Sequence, residues 1–273
     1  MSISAAMVKS LRDKTGAGMM DCKKALAENN GDEEKAIDWL RQKGLSKAAK
    51  KAGRATTEGL IGCLVEGKVG ALAEFKCETD FVARNEAFIA LSHKFAADVA
   101  ANGAEGFADR VAGDVTDCIA TLGENMSAGR AARVELAADG IIGSYVHSNG
   151  KIGVLVAIEG SADAELAKNI AMQVAATNPV SLDASNIPAD LIAREREIHR
   201  QKTLEEGKPE NIVDKIVDGR MQKFFKEVTL LDQPYIRDDK MAVKDLLKGG
   251  AKIVQFVRFA LGEDATPEAE EAE

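Results

Sequence analysis

The chain reads as an α+β protein in three parts. These are a small N-terminal three-helix bundle, a two-part core of repeated β-hairpin plus helices, and an antiparallel helical hairpin inserted into the second core part. Three observations predict this. Apolar residues recur at three-four spacing over the first 45 residues, and from Glu58 the period changes to two. A segment starting at Gly59, "GLIGCLVEGKVGALAEF", returns from Gly140 as "GIIGSYVHSNGKIGVLVAI". The offset is 81 residues before the turn (Gly59, Gly140) and 83 after it (Gly70, Gly153), so one hairpin plan is used twice.

In the N-terminal part, "AAMVKSLRDKT" puts Met7, Val8 and Leu11 on one face, and "TGAG" breaks the chain. "MMDCKKALAENN" follows with Met19, Cys22, Ala25 and Leu26 in helical register, and "NGD" stops it. Asp32 is placed to cap "EEKAIDWLRQKG", which buries Ile37 and Trp39 or Leu40. "SKAAKKAGRA" then reads as a mobile basic linker carrying Lys47, Lys50 and Lys51.

The first core half is a hairpin turning through Gly67-Lys68. A helix "NEAFIALSHKFAADVAANG" capped by Asn85 comes next, then a short helix "DVTDCIATLGEN" and a strand "ARVELAAD". The second hairpin also feeds a helix, "DAELAKNIAMQVAATNP". Pro188 and Pro209 stand at first-turn positions of two long helices, where a missing N–H costs least. The second helix carries a stripe of Ile212, Val213, Ile216, Val217, Met221, Phe224 and Val228. "QPYIRDDK", a helix "MAVKDLLKGG" and a strand "AKIVQFVRFAL" return to the core. The expected organisation is therefore 1–45 helical head, 46–56 linker, 57–139 first core half, 140–179 with 229–262 second core half, 180–228 helical hairpin, and 263–273 tail.

Charge is uneven along the chain. The net charge of −8 is largely the work of residues 263–273, with six acids and no base, a tail too acidic and apolar-poor to pack. Residues 1–54 hold 12 bases against 7 acids. A basic head on a near-neutral body suits docking on an acidic protein surface, and it lacks the continuous basic face of a dedicated nucleic-acid binder. The alternative, an RNA-binding accessory using head and linker, would show a steep salt slope. No run approaches the roughly 20 apolar residues of a membrane span, and the N-terminus has no h-region, so a cytoplasmic protein is expected.

The search for chemistry finds no catalytic set. Cys22, Cys63, Cys77 and Cys118 form no CxxC pair, and the three histidines have no metal-ligand spacing. They read as reduced, small, buried side chains. "TGAGMM" lacks the GK[ST] of a phosphate loop. No cofactor, metal site or direct nucleotide binding is expected, and the chain reads as a binder rather than an enzyme.

Within "ETDFVARN", Phe81 answers to neither period, and aromatics are only 4% of the chain. Continuing the offset of 83 sends Asp80 to Asp163 and Phe81 to Ala164, so only the first half has the ring. Either Phe81 fills a gap peculiar to the first half, or it projects from a strand–helix junction as a partner anchor.

"LRDKTGAGMMDCKKALAENNGDEEKAIDWLR" (11–41) and "EFKCETDFVARNEAF" (74–88) resemble the two signatures of the bacterial elongation factor Ts family, over about 2–262. The resemblance implies a UBA-like head, a coiled-coil hairpin and a guanine-nucleotide exchange factor for the GTPase elongation factor Tu. It implies that Asp80 and Phe81, with Thr79 and Val82 shaping the loop, disturb Mg²⁺ and phosphate binding in that GTPase. Met19, Met20 and Lys23 become head contacts, and His147 a contact of the second half. Met126 is a weaker match, since "GENMSAGRAARVEL" departs from the family pattern, and Tyr235 and Ile236 are minor contacts implied by "QPYIRDD", which keeps the family's QP and an aromatic. The tail lacks the further helical module of longer members. The resemblance also leaves room for a homodimer or a 2:2 assembly.

Overall fold

The computed structural model describes residues 3–161 and 163–263. The acidic tail therefore lies outside the described residues, Glu263 excepted. Three helices form the head: α1 (Ala5–Thr15), α2 (Met19–Glu28) and α3 (Glu33–Lys51). Ser4 and Asp32 cap α1 and α3 by accepting the N–H of Met7 and Lys35, and Gly16 ends α1 at a φ of 66°. Val8, Leu11, Cys22, Ala25, Leu26, Ala36 and Leu40 make the small core, with Trp39 packed at its edge under Lys43.

The expected linker is a correction. Residues 46–51 continue α3, and the helix lies along α6 (Phe107–Leu122). The contact is close because a Cβ on Gly44 would sit 3.3 Å from that of Ala120. Lys51 donates to the Gly123 carbonyl and Lys47 to Asp21, so two of the three linker lysines have structural partners. The run of Ala and Lys after Gly44 is a good helix former, and only tertiary contact gave its helix a surface to lie on.

Two three-stranded antiparallel sheets form the core. The first has the order β1 (Glu58–Glu66), β2 (Val69–Cys77), β3 (Met126–Glu135), and the second β4 (Gly140–Val146), β5 (Ile152–Glu159), β8 (Lys252–Ala260). Strands β2 and β5 are central and buried on both faces, which is why "VGALAEF" and "IGVLVAI" are nearly continuous apolar runs rather than alternating ones. Ala71, Ala73 and Phe75 face α5 (Glu86–Asn102) and α6, while Val154, Val156 and Ile158 face α7 (Ala164–Thr177). The opposite faces meet through Ile61, Leu72, Ile142, Leu155 and Phe259. The layers run helix, sheet, sheet, helix.

The two sheets meet reciprocally. A Cβ on Gly70 would touch Ile142 and Leu155, and one on Gly153 would touch Ile61 and Leu72. Each glycine makes room for the other half's apolar pair, so the sequence repeat is a two-fold-like repeat in space.

The helix α6 starts at Phe107, earlier than "DVTDCIATLGEN" suggested, because Phe107, Val111, Val115 and Cys118 are buried at helical spacing on either side of Gly113. The predicted helix at "MAVKDLLKGG" is absent. Met241 and Ala242 end strand β7 (Asp238–Ala242), which pairs with β6 (Pro234–Tyr235), and a single 3-10 turn follows. Gly249 and Gly250, both at positive φ, leave no length for a helix there.

The helical hairpin is α8 (Ala189–Glu205) and α9 (Glu210–Val228), entered through Pro188 and Pro209. Val213, Val217 and Met221 close its apolar seam, flanked by the cross-hairpin ion pairs Arg196–Asp218, Arg200–Asp214 and Arg220–Glu206. Ile212 of the expected stripe is exposed. At the base, the Val180 N–H donates to Val228 O and the Leu230 N–H to Ser181 O, which ties both ends of the insertion to the second half.

Candidate partner-docking site

The junction after β2 is where the two halves differ. On the sheet Gly62 and Gly143 are equivalent, and each lies against a helix: a Cβ would meet the Ser92 carbonyl in one half and the Ala167 backbone in the other. Buried Ser92, Phe95, Ala96 and Val99 match Ala167, Ile170, Ala171 and Val174. The offset is 83 residues on the central strands (Gly70, Gly153) but 75 on the helix, so the first half holds eight extra residues between them. This corrects the pairing of Asp80 with Asp163. Asp163 is simply the cap of α7, accepting the N–H of Glu165 and Leu166, and the "ETDFVARN" segment has no counterpart.

The extra residues fold into a one-turn helix, α4 (Asp80–Ala83). Thr79 is its cap. The Thr79 N–H donates to Glu124 Oε2 at 3.0 Å and its hydroxyl to Glu124 Oε1 at 2.6 Å, leaving Oγ1 to accept the Val82 N–H at 3.4 Å. Cys77 Sγ donates to the Thr79 carbonyl, and burial followed by the Glu124 charge pushes that thiol up to about 12. One residue upstream, Glu78 accepts the Asn125 N–H at 2.5 Å and pairs with Arg54, while Asn125 Nδ2 donates to the Arg54 carbonyl. The Asn125 bond and then Arg54 hold the Glu78 carboxyl below its usual range.

On this base Ala83 is buried and Val82 packs against the first-half core. Phe81 points the other way and is 83% exposed. The gap-filling reading of the ring fails on that number. Asp80 is half-exposed and pairs with Arg84 one turn on, at 2.9 Å.

His147 lies nearby, in the β4–β5 turn, its Nδ1 3.0 Å from Asn149 Oδ1. The turn is anchored on β1 by the Ile61 N–H donating to Gly150 O at 2.8 Å. An open groove of about 350 Å³ runs between Val146 and His147 on one side and Ala83, Arg84, Ile89 and His93 on the other. Sequence spacing alone would not have joined the second-half turn to the first-half insertion.

In the head, Met19 and Met20 are 47% and 75% exposed and Lys23 is exposed. Asp21 between them accepts from Lys43 at 2.5 Å and Lys47 at 2.7 Å, which pins α2 on α3 and lowers the Asp21 pKa. Two expected contact residues are corrected. Met126 is 3% exposed at the start of β3, inside the first-half core, and Tyr235 is buried beside a polar cluster of Gln173 and Gln233. Ile236, its N–H held by Gln173 Oε1, is 48% exposed. Glu124 and Asn125 were missed. Their signal was a loop carboxylate and amide directly after a helix-ending glycine, and nothing in spacing said which residues they would hold. Among the described residues no cluster of three or more His, Cys, Asp or Glu side chains could hold a metal, and no helix is long and apolar enough to cross a membrane.

Comparison with known proteins decides the lineage. A family model described as Elongation factor TS matches residues 78–263. The chain belongs to the elongation factor Ts family. It is 60% identical to the Elongation factor Ts of Nitratidesulfovibrio vulgaris strain DP4, over 98% of this chain and 99% of that one. It is 53% identical to that of Lawsonia intracellularis, over 97% and 100%. Against that of Rhodopseudomonas palustris strain BisB5 the identity is 49%, over 96% and 93%. The family match starts at Glu78, the first of the eight inserted residues.

Proposed function

We propose that this chain is a guanine-nucleotide exchange factor of translation elongation, acting on elongation factor Tu, with Phe81 as a wedge. The observation that carries the reading is an aromatic ring 83% exposed on a one-turn helix that is tied down on its other side. In this reading Asp80 and Phe81 enter the GTPase beside its Mg²⁺ and phosphate site, displace a helix there, and GDP leaves. Met19, Met20 and Lys23 of the head grip the same GTPase domain, and the second core half, with Ile236, faces another. His147 works beside the wedge, across the groove from α4.

The energetics fit a mechanism of binding alone. Factor and nucleotide weaken each other's affinity by one reciprocal coupling free energy. Fully burying a Phe supplies about 1.5–3 kcal/mol, roughly a ten- to hundredfold change in an equilibrium constant. Freeing Asp80 from Arg84 costs little, since an exposed i,i+4 pair is worth about 0.3–0.5 kcal/mol. The test is the rate of GDP release from elongation factor Tu. Phe81→Ala is expected to slow it about tenfold or more, and an unchanged rate would sink the wedge.

A further inference from the structure

We infer that Glu124 is the positioning residue of the wedge: its carboxylate holds Thr79 so that α4 keeps Phe81 presented before any partner arrives. This rests on the exchange reading above and adds to it a residue that touches neither the ring nor the exposed surface of α4.

A threonine hydroxyl has one proton to give and lone pairs to accept with. Glu124 Oε1 takes that proton at 2.6 Å, which turns the oxygen of Thr79 toward the Val82 N–H. Glu124 Oε2 takes the Thr79 N–H at 3.0 Å, and the Thr79 carbonyl receives the Ala83 N–H and the Cys77 thiol. Every polar group of Thr79 is therefore committed, and the strongest partner is a charge. A helix of four residues cannot hold itself, because nucleation outweighs so few internal bonds. What orders it is this clamp at its first residue and Val82 and Ala83 beneath it. Glu124 is set in turn by its neighbours. Gly123 receives Lys51 of α3, and Asn125 binds Glu78 and Arg54. The head helix, the α6–β3 connection and the wedge thus share one chain of contacts. A wedge ordered in the free protein meets its target without first being ordered, so the competent fraction stays high.

The test compares Glu124→Ala, Glu124→Gln, Phe81→Ala and Glu124→Ala/Phe81→Ala in the full chain. Readouts are GDP release from elongation factor Tu and the backbone ¹⁵N order parameters of residues 80–83 in the free protein. Glu124→Ala should lower those order parameters while leaving α5 and α7 rigid. It should also slow release at saturating factor about five- to tenfold, the scale of a lost cap. The amide of Glu124→Gln can accept the Thr79 N–H and donate to its hydroxyl, so most of the rate should return. The double variant should fall only slightly below Phe81→Ala alone, because Glu124 acts chiefly through the ring and only the placing of Asp80 is left to lose.

Unchanged order parameters in Glu124→Ala overturn the proposal whatever the GTPase does. An equal loss of rate with the ring already removed overturns it too, since Glu124 would then act elsewhere. A normal rate in Phe81→Ala overturns the wedge reading, and the order parameters still decide the clamp. If Glu124→Ala does not fold, Thr79→Val is scored by the same readouts, with Thr79→Ser expected to restore them.

Discussion

The two core halves share a hairpin, a helix-facing glycine and a sheet-facing glycine, and they part company at one junction. In the second half Glu159 runs through Gly160 to Asp163, which caps α7 directly. In the first, eight more residues intervene, and they carry the most exposed large apolar side chain among the described residues. A further difference is buried: Glu74 stands where the repeat puts Ala157, 2% exposed and paired with Arg130, whose guanidinium also lies over Phe259. The shared features are those a hairpin and helix need in order to pack. The unshared junction packs only Val82 and Ala83 inward, and no packing need explains the ring of Phe81 on its outer side.

The most damaging way to test the shared part is Gly62→Val or Gly143→Val. A Cβ there would lie 2.1 Å from the Ser92 carbonyl oxygen or 2.4 Å from the Ala167 backbone, and backbone cannot step aside cheaply. Each should destabilise by about 3 kcal/mol or more in chemical denaturation, and similarly, if the halves are equivalent. Glu74→Ala makes the first half resemble the second. It should cost about 2 kcal/mol, less than a fully buried pair because Arg130 retains a route to water.

Phe81→Ala probes the unshared part and should separate stability from function. The free energy of unfolding should change by no more than about 0.5 kcal/mol, as for other exposed positions, while exchange falls about tenfold. The smallest effect lies in the head, which neither half resembles. Asp21 has its pKa lowered by Lys43 and then Lys47, so its contribution is present above the ordinary aspartate range near 4 and is lost as pH falls below it. Trp39, the sole tryptophan, sits in this bundle beside Lys43 and reports its unfolding by fluorescence. Asp21→Asn should flatten that acid dependence without moving the core transition.

Much of this could be read from the chain. Helical period, capping residues and paired glycines gave the head, the repeated hairpins and the helical insertion, because these depend on local patterning. Phe81 stood out because neither period explained it. Other features are not legible in the chain, for physical reasons. The basic segment after Gly44 has the composition of a linker and of a good helix, and packing against α6 settles which. Met126 and Tyr235 are apolar residues in short motifs, and no local signal says whether such a side chain faces in or out.

The sequence by itself determined most of the elements, the duplication and the anomalous ring, since backbone preference and apolar spacing act over a few residues. Only the tertiary structure decided that "ETDFVARN" is an insertion, that His147 faces it across a groove, and that Glu124 holds its base. The reason is distance along the chain: Thr79 and Glu124 are 45 residues apart, and a hydrogen bond of that span exists only once sheet and helices have brought its ends together.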